Sequence, residues 1–188
     1  IPAEEETAVH GHWVRGPGED LFLAVRNALG EVSFLAEDLG YITPAVNALR
    51  ERLGFPGMRV LQFAFGGNAS NHHLPHHYTQ DDVVYTGTHD NDTLVGWLPQ
   101  VGEHERRYLL RYLHTTEQEA LPSLMRAALA SVARIAVLPL QDVLGLGSEA
   151  RMNCPSSICG NWEWRCTEEQ LTTATSRRLA EMCTLYGR

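Results

Sequence analysis

Lysine is absent from this chain of 188 residues; all fifteen of its basic residues are arginine. That bias by itself names no activity. Set against 23 Asp and Glu, however, fifteen arginines leave a formal charge of -8, which argues against nucleic acid or another polyanion as partner. No apolar run approaches the roughly 18 residues of a membrane span, so no membrane partner is expected. Paired C-x-x-C spacings are missing as well. Cys154, Cys159, Cys166 and Cys183 read as free thiols in a reducing compartment, in preference to a zinc site or a disulfide framework. There is no internal repeat and no low-complexity tract. The chain opens at Ile1, without a methionine or a signal peptide, in what reads as the middle of a polar loop. The composition is otherwise that of an ordinary globular domain with one sizeable core, 44% hydrophobic and 20% charged.

What recurs along the chain is a strand followed by a helix. Residues 20–29, "DLFLAVRNAL", carry apolar positions at helical spacing and stop at Gly30. "VSFLAED" reads as a short buried strand over 32–36 that ends in Glu37 and Asp38. Thr43 and Pro44 then have the types that cap and open a helix, closed by Gly54. Further strands are expected at 58–65, 82–88 and 134–140, helices near 102–114 and 119–132, and a closing amphipathic helix over 169–185. Alternating segments with near-continuous apolar strands predict a parallel sheet covered by helices, an α/β fold whose chemistry sits at the carboxyl ends of its strands.

Those ends are rich in reactive residues: Glu37 and Asp38, then Gln62 and Phe65, then His89 and Asp90, then Gln141 and Asp142. Four such endings in succession suggest one shared pocket. Glu37 either caps a turn or sits partly desolvated as a proton donor. In "THDND", residues 88–92, Asp90 and Asp92 are spaced as in a calcium loop, but Leu94 and Val95 stand where that loop needs a further Asx-Gly pair. A hydrolase triad would need a G-x-S-x-G elbow, which is absent. The remaining reading is an imidazole and a carboxylate that grip neighbouring sugar hydroxyls. "NHHLPHHY" offers His72, His73, His76 and His77, but Pro75 removes the helix that would align them on a metal. A solvated loop on the substrate side is the preferred reading.

Taken together, "AEDLG.ITP.V..LR...G.PGM.VLQFAF", "LPH.Y...VVYTGTHDNDT..GW" and "LQD.LGLG.EARMN.P....GNW.WR" resemble the 4-α-glucanotransferases, or amylomaltases, from the opening "IPAEEETAVHGHWVRGPGEDLF" nearly to Cys166. The resemblance implies a (β/α)8 barrel of the α-amylase type that transfers α-1,4-glucan segments with retention, using no metal or organic cofactor. Its partners would be α-1,4-glucans and maltooligosaccharides, in the cytoplasm, or in a plastid if the source is a photosynthetic eukaryote. Position by position, Glu37 matches the general acid/base and Asp90 the transition-state stabiliser. His89 matches a histidine that holds a sugar hydroxyl, and Phe63 an aromatic sugar contact. Arg151 and Asn153 fall in an active-site segment. The family's nucleophilic aspartate ends a fourth barrel strand and lies in a segment that precedes "IPAEE". Residues 1–188 are therefore expected to be the C-terminal half of a catalytic barrel, strands five to eight with their helices, since a whole barrel takes about 250 residues. Gly66-Gly67 stands where many relatives carry acidic residues. A non-catalytic glucan-binding or vestigial half-barrel, and a glycoside hydrolase, are the alternatives.

Overall fold

The computed structural model describes residues 1–188. Helix α1 (Glu19–Leu29) has Glu19 and Asp20 in its first turn, where exposed backbone N–H groups favour negative charge. Helix α2 (Pro44–Arg52) starts as its sequence predicts. The Thr43 side chain accepts a hydrogen bond from the Val46 amide, and Pro44 stands where no amide is needed. Strand β1 (Gly57–Val60) pairs in parallel with β2 (Asp82–Tyr85), and β2 with β3 (Ile135–Val137), which makes β2 the central strand. Between β2 and β3 run α3 (Leu94–Trp97), α4 (Glu103–Leu113) and α5 (Ala120–Leu129). Helix α6 (Leu140–Leu144) follows β3, and α7 (Thr173–Tyr186) is the last element.

Every fully buried residue falls between Gly57 and Ala150. Val84 of β2, with Leu61, Phe65 and Leu74, packs into one cluster with Leu109 of α4 and Leu124, Met125 and Ala128 of α5. Burying such side chains contributes about 1.5–3 kcal/mol each, so this layer is what holds the sheet flat against α4 and α5. Phe22, Phe34 and Phe55 form a second, smaller cluster, with ring centroids 4.8 to 5.3 Å apart, that fastens α1 and the segment after it.

Three strands form where four were expected. Residues 32–36 join no ladder, although their composition suits one. The reason lies on the outer edge of β1. Its outward amides are taken by side chains: the Met58 amide donates to Asp38 Oδ1 at 2.7 Å, and the Val60 amide to His73 Nδ1 at 3.1 Å. An edge closed in this way offers no backbone donors to a neighbouring strand. Gly57 leaves room for these side chains: a Cβ there would lie 2.6 Å from Asp38 Oδ2 and 3.2 Å from the Arg50 guanidinium, so one of them would have to shift. The other strands are shorter than their apolar runs. After β1 the chain turns into a 3-10 segment, Leu61–Phe63, and Pro139 leads directly into α6.

The histidine-rich loop is exposed at His72, His76 and His77, in line with its reading as a solvated segment, and departs from that reading at His73. His73 is buried on β1, and its Nδ1 must be unprotonated to accept the Val60 amide. His76 pairs with the Tyr112 hydroxyl at 2.8 Å, and His77 with the Ala69 carbonyl at 2.7 Å. Three of the four rings therefore hold the loop down. Burial, with repulsion from His72 and Arg59, pushes the His73 pKa down to about 4, against a smaller pull from Asp38. A pKa below the unfolded value of 6.5 means that the unfolded chain binds more protons between the two. The stability His73 contributes is thus complete above pH 6.5 and lost as pH falls towards 4, on the order of 3 kcal/mol in all. Urea unfolding at pH 7 and pH 4.5 is expected to show this loss in the parent protein. In His73→Gln the loss between these two pH values is expected to be smaller by about 2 kcal/mol.

Candidate functional site

Residues 86–94 leave the carboxyl end of β2 as a tight turn fixed from beneath. Asp142 of α6 is 1% exposed, and each of its oxygens has a donor: Thr86 Oγ1 at 2.6 Å and the Leu94 amide at 2.7 Å. Burial raises the Asp142 pKa, and these two hydrogen bonds oppose the rise. Gln62, also buried, donates to the Asp92 carbonyl at 2.8 Å. It passes so close to the turn that a Cβ on Gly87 would meet its amide at 2.6 Å. Gln141 donates to the Ala150 carbonyl at 3.1 Å, and Phe65 is wholly in the core. Of the reactive strand endings, then, Gln62, Phe65, Gln141 and Asp142 are supports.

The polar cluster His89-Asp90-Asn91-Asp92 divides in the same way. Asn91 Oδ1 accepts from the Thr88 amide and hydroxyl, at 2.9 and 2.8 Å, and closes the turn. The Asp92 carboxylate accepts from Ser148 Oγ at 2.7 Å and from Gln100 at 3.2 Å. His89 and Asp90 are left half-exposed. Nowhere in the chain do three or more His, Cys, Asp or Glu side chains meet in a group that could hold a metal.

A second segment folds over this pair. Arg151 donates from Nη2 to the Asp90 carbonyl at 2.6 Å and from Nε to the Asn153 carbonyl at 2.8 Å. Asn153 donates from Nδ2 to Asp90 Oδ1 at 2.6 Å and from its amide to the His89 carbonyl at 3.1 Å. His89 Nε2 lies 3.3 Å from the same Oδ1. One carboxylate oxygen of Asp90 is thus fixed by protein donors, while Oδ2 has no protein partner, and Asp90 is half-exposed. The sequence reading brought His89, Asp90, Arg151 and Asn153 to one site, and the structure places them in contact. It missed Trp162, whose ring lies 5.0 Å from the His89 ring at 38°. It also missed the Asp92–Ser148 tie. The "GNW" stretch carried the only signal for the tryptophan: an aromatic in a glycine- and asparagine-marked turn.

Two clefts meet at His89. One, about 190 Å³, runs over Asp92, Asp142, Arg151, Met152 and Trp162. The other, about 320 Å³, is lined by Leu35, Glu37, Met58, Tyr85 and His89. Glu37 and His89 therefore share a wall. Burial raises the pKa of the Tyr85 hydroxyl, and the nearby charge of Glu37 raises it further. Glu37 itself is exposed, which corrects the expectation of a partly desolvated carboxylate at the end of a buried strand. The segment that carries it lies along the closed edge of β1, with no layer over it. Phe63 is also exposed; its ring packs at 5.5 Å against His73, and it lines neither cleft.

With this geometry in view, residues 1–172 match the family model described as 4-alpha-glucanotransferase. The chain is 52% identical over 190 residues to a 4-alpha-glucanotransferase of Thermus thermophilus, covering 97% of this chain and 38% of that protein. It is 48% identical over 192 residues to the 4-alpha-glucanotransferase, chloroplastic/amyloplastic, of Solanum tuberosum, covering 100% of this chain and 33% of that protein. Among solved structures it superposes on the amylomaltase from Streptococcus agalactiae in complex with acarbose with a TM-score of 0.92 at 33% identity, over 99% of this chain and 38% of that one. The chain thus spans between a third and two fifths of the length of these relatives. It belongs to the 4-alpha-glucanotransferase family.

Proposed function

We propose that this chain is part of a 4-alpha-glucanotransferase that moves α-1,4-glucan segments between maltooligosaccharides by a retaining double displacement. The observation that carries the reading is the fixed Asp90: three protein groups hold its carbonyl and Oδ1, and Oδ2 is left without a protein partner beside a half-exposed imidazole. A carboxylate held in place in advance stabilises the positive charge that develops at the anomeric carbon without reorganising during reaction. Glu37, which lines the same cleft as His89, protonates the departing glycosidic oxygen. It later takes the proton from the 4-hydroxyl of the acceptor, as microscopic reversibility requires. His89 binds a hydroxyl of the reacting sugar, and Phe63, exposed outside both clefts, meets a sugar farther along the glucan.

Retention needs a nucleophilic carboxylate about 5 Å from the acid/base. Around His89 the remaining candidates are Asp92 and Asp142, and both are committed to other bonds, Asp92 to Ser148 and Asp142 to Thr86 and the Leu94 amide. The nucleophile is therefore assigned to a segment outside these residues, with the three strands read as part of the carboxyl-side half of a (β/α)8 barrel. In the complete barrel that segment would also cover Glu37. On this reading no cofactor enters the chemistry, and the protein works where α-glucan is stored, in the cytoplasm or a plastid. Neither nucleic acid nor a membrane is a partner, in keeping with the charge of -8.

Two substitutions in the complete protein separate the roles. Glu37→Gln is expected to lower maltotriose disproportionation by at least about 10²–10⁴-fold while glucan binding persists. Turnover near that of the parent would remove Glu37 from the mechanism. Asp90→Asn is expected to reduce kcat far more than it raises KM, because its charge acts mainly in the transition state. A change in KM alone would mean that Asp90 only binds sugar.

A further inference from the structure

Trp162 has an unusual backbone for a bulky side chain: its φ is +64°, in the left-handed region that such residues rarely enter. The strain is held by neighbours. The Trp162 amide donates to the Met152 carbonyl at 2.7 Å, and Arg165 donates to the Trp162 carbonyl at 2.9 Å. The loop between is closed by Asn161, which accepts from the Cys154 amide at 2.8 Å and donates to the Ser157 carbonyl at 2.9 Å. Burial does not repay the conformation, since the residue is 53% exposed. What the conformation achieves is to lay the indole against one face of His89, at 5.0 Å between centroids. The His89 ring nitrogen is meanwhile directed at Asp90 Oδ1. Strained residues kept by their surroundings concentrate at sites where the geometry has a use.

We propose that Trp162 is the positioning residue for His89: it sets the imidazole plane so that Nε2 stays on Asp90 and the ring edge faces the cleft. As a sugar-hydroxyl contact, His89 rests on the function proposed above; the contact between the two rings does not. Without the indole, the half-exposed imidazole is free to take its other staggered side-chain rotamers. Misplacing a substrate-positioning group by about 1 Å can cost as much as 100-fold in rate.

The test uses the complete protein and Trp162→Gly, which removes the ring and relieves the left-handed backbone together. With the histidines carbon-13 labelled and the His89 signals identified by their loss in His89→Ala, the His89 ring protons are expected to be shielded by the indole in the parent. In Trp162→Gly they move to ordinary positions, while the melting temperature stays level or rises. In maltotriose disproportionation, Trp162→Gly is expected to lower kcat/KM by about 10- to 100-fold, and Trp162→Phe to recover most of that loss. In a His89→Ala background the same change should cost less than about 2-fold, since the group it positions has gone. Unshifted His89 resonances in Trp162→Gly would overturn the proposal, and so would an equal loss of activity in both backgrounds. A parent that transfers no glucan would count against the proposed function alone, because the resonance test still decides the contact.

Discussion

A single buried carboxylate sets the position of everything at the mouth of the central strand. Asp142 joins three elements that the chain order keeps apart: Thr86 at the end of β2, the first amide of α3, and α6, on which it sits. A charge taken out of water is costly unless each oxygen finds a donor, and here each oxygen has one within 2.7 Å. The turn that carries His89 and Asp90 therefore has a rigid floor. Gln62 and Asn91 then fix its sides, and Arg151 and Asn153 fix its upper surface. The result is a pair of half-exposed polar groups on a turn with few ways to move, which is what preorganised catalysis requires.

The absence of lysine acquires a physical use in the fold, although it named no activity. Seven of the fifteen arginines donate to backbone carbonyls, at Arg50, Arg59, Arg106, Arg151, Arg165, Arg178 and Arg188. Several bind more than one. Arg188 reaches the carbonyls of Leu129, Ser131, Ala133 and Arg134 where α5 ends, and Arg151 spans Asp90 and Asn153. A planar guanidinium with donors along a fork suits carbonyls that diverge at a helix end or a turn, whereas an ammonium presents one compact charge. Replacing Arg151 with lysine would keep the charge and lose the span.

Much of the architecture was legible because it rests on local chemistry. Thr43 and Pro44 announce α2, and the apolar spacing of 20–29 announces α1. The β-branched run at 82–85 marks the central strand. The first expected strand was misread because residues 32–36 have strand composition, and composition cannot show that Asp38 and His73 would occupy the edge of β1. The site was legible where contacts are short in sequence or carried by long motifs, as with His89, Asp90, Arg151 and Asn153. It was not legible where one residue type can serve two ends. Asp90 and Asp92 are both carboxylates in one turn, yet Ser148, 56 positions away, decides that Asp92 is structural. The role of Trp162 depends on a left-handed backbone that no local sequence rule assigns to tryptophan.

The central claim is that this site belongs to a retaining transferase of α-1,4-glucans. The direct measurement is to incubate the complete protein with maltotriose and carbon-13 glucose and to follow the label by NMR. The account expects label at the reducing ends of new maltooligosaccharides, joined through α-1,4 linkages, with no net rise in reducing ends. Label that stays in free glucose while reducing ends accumulate, or that enters β linkages, would contradict it.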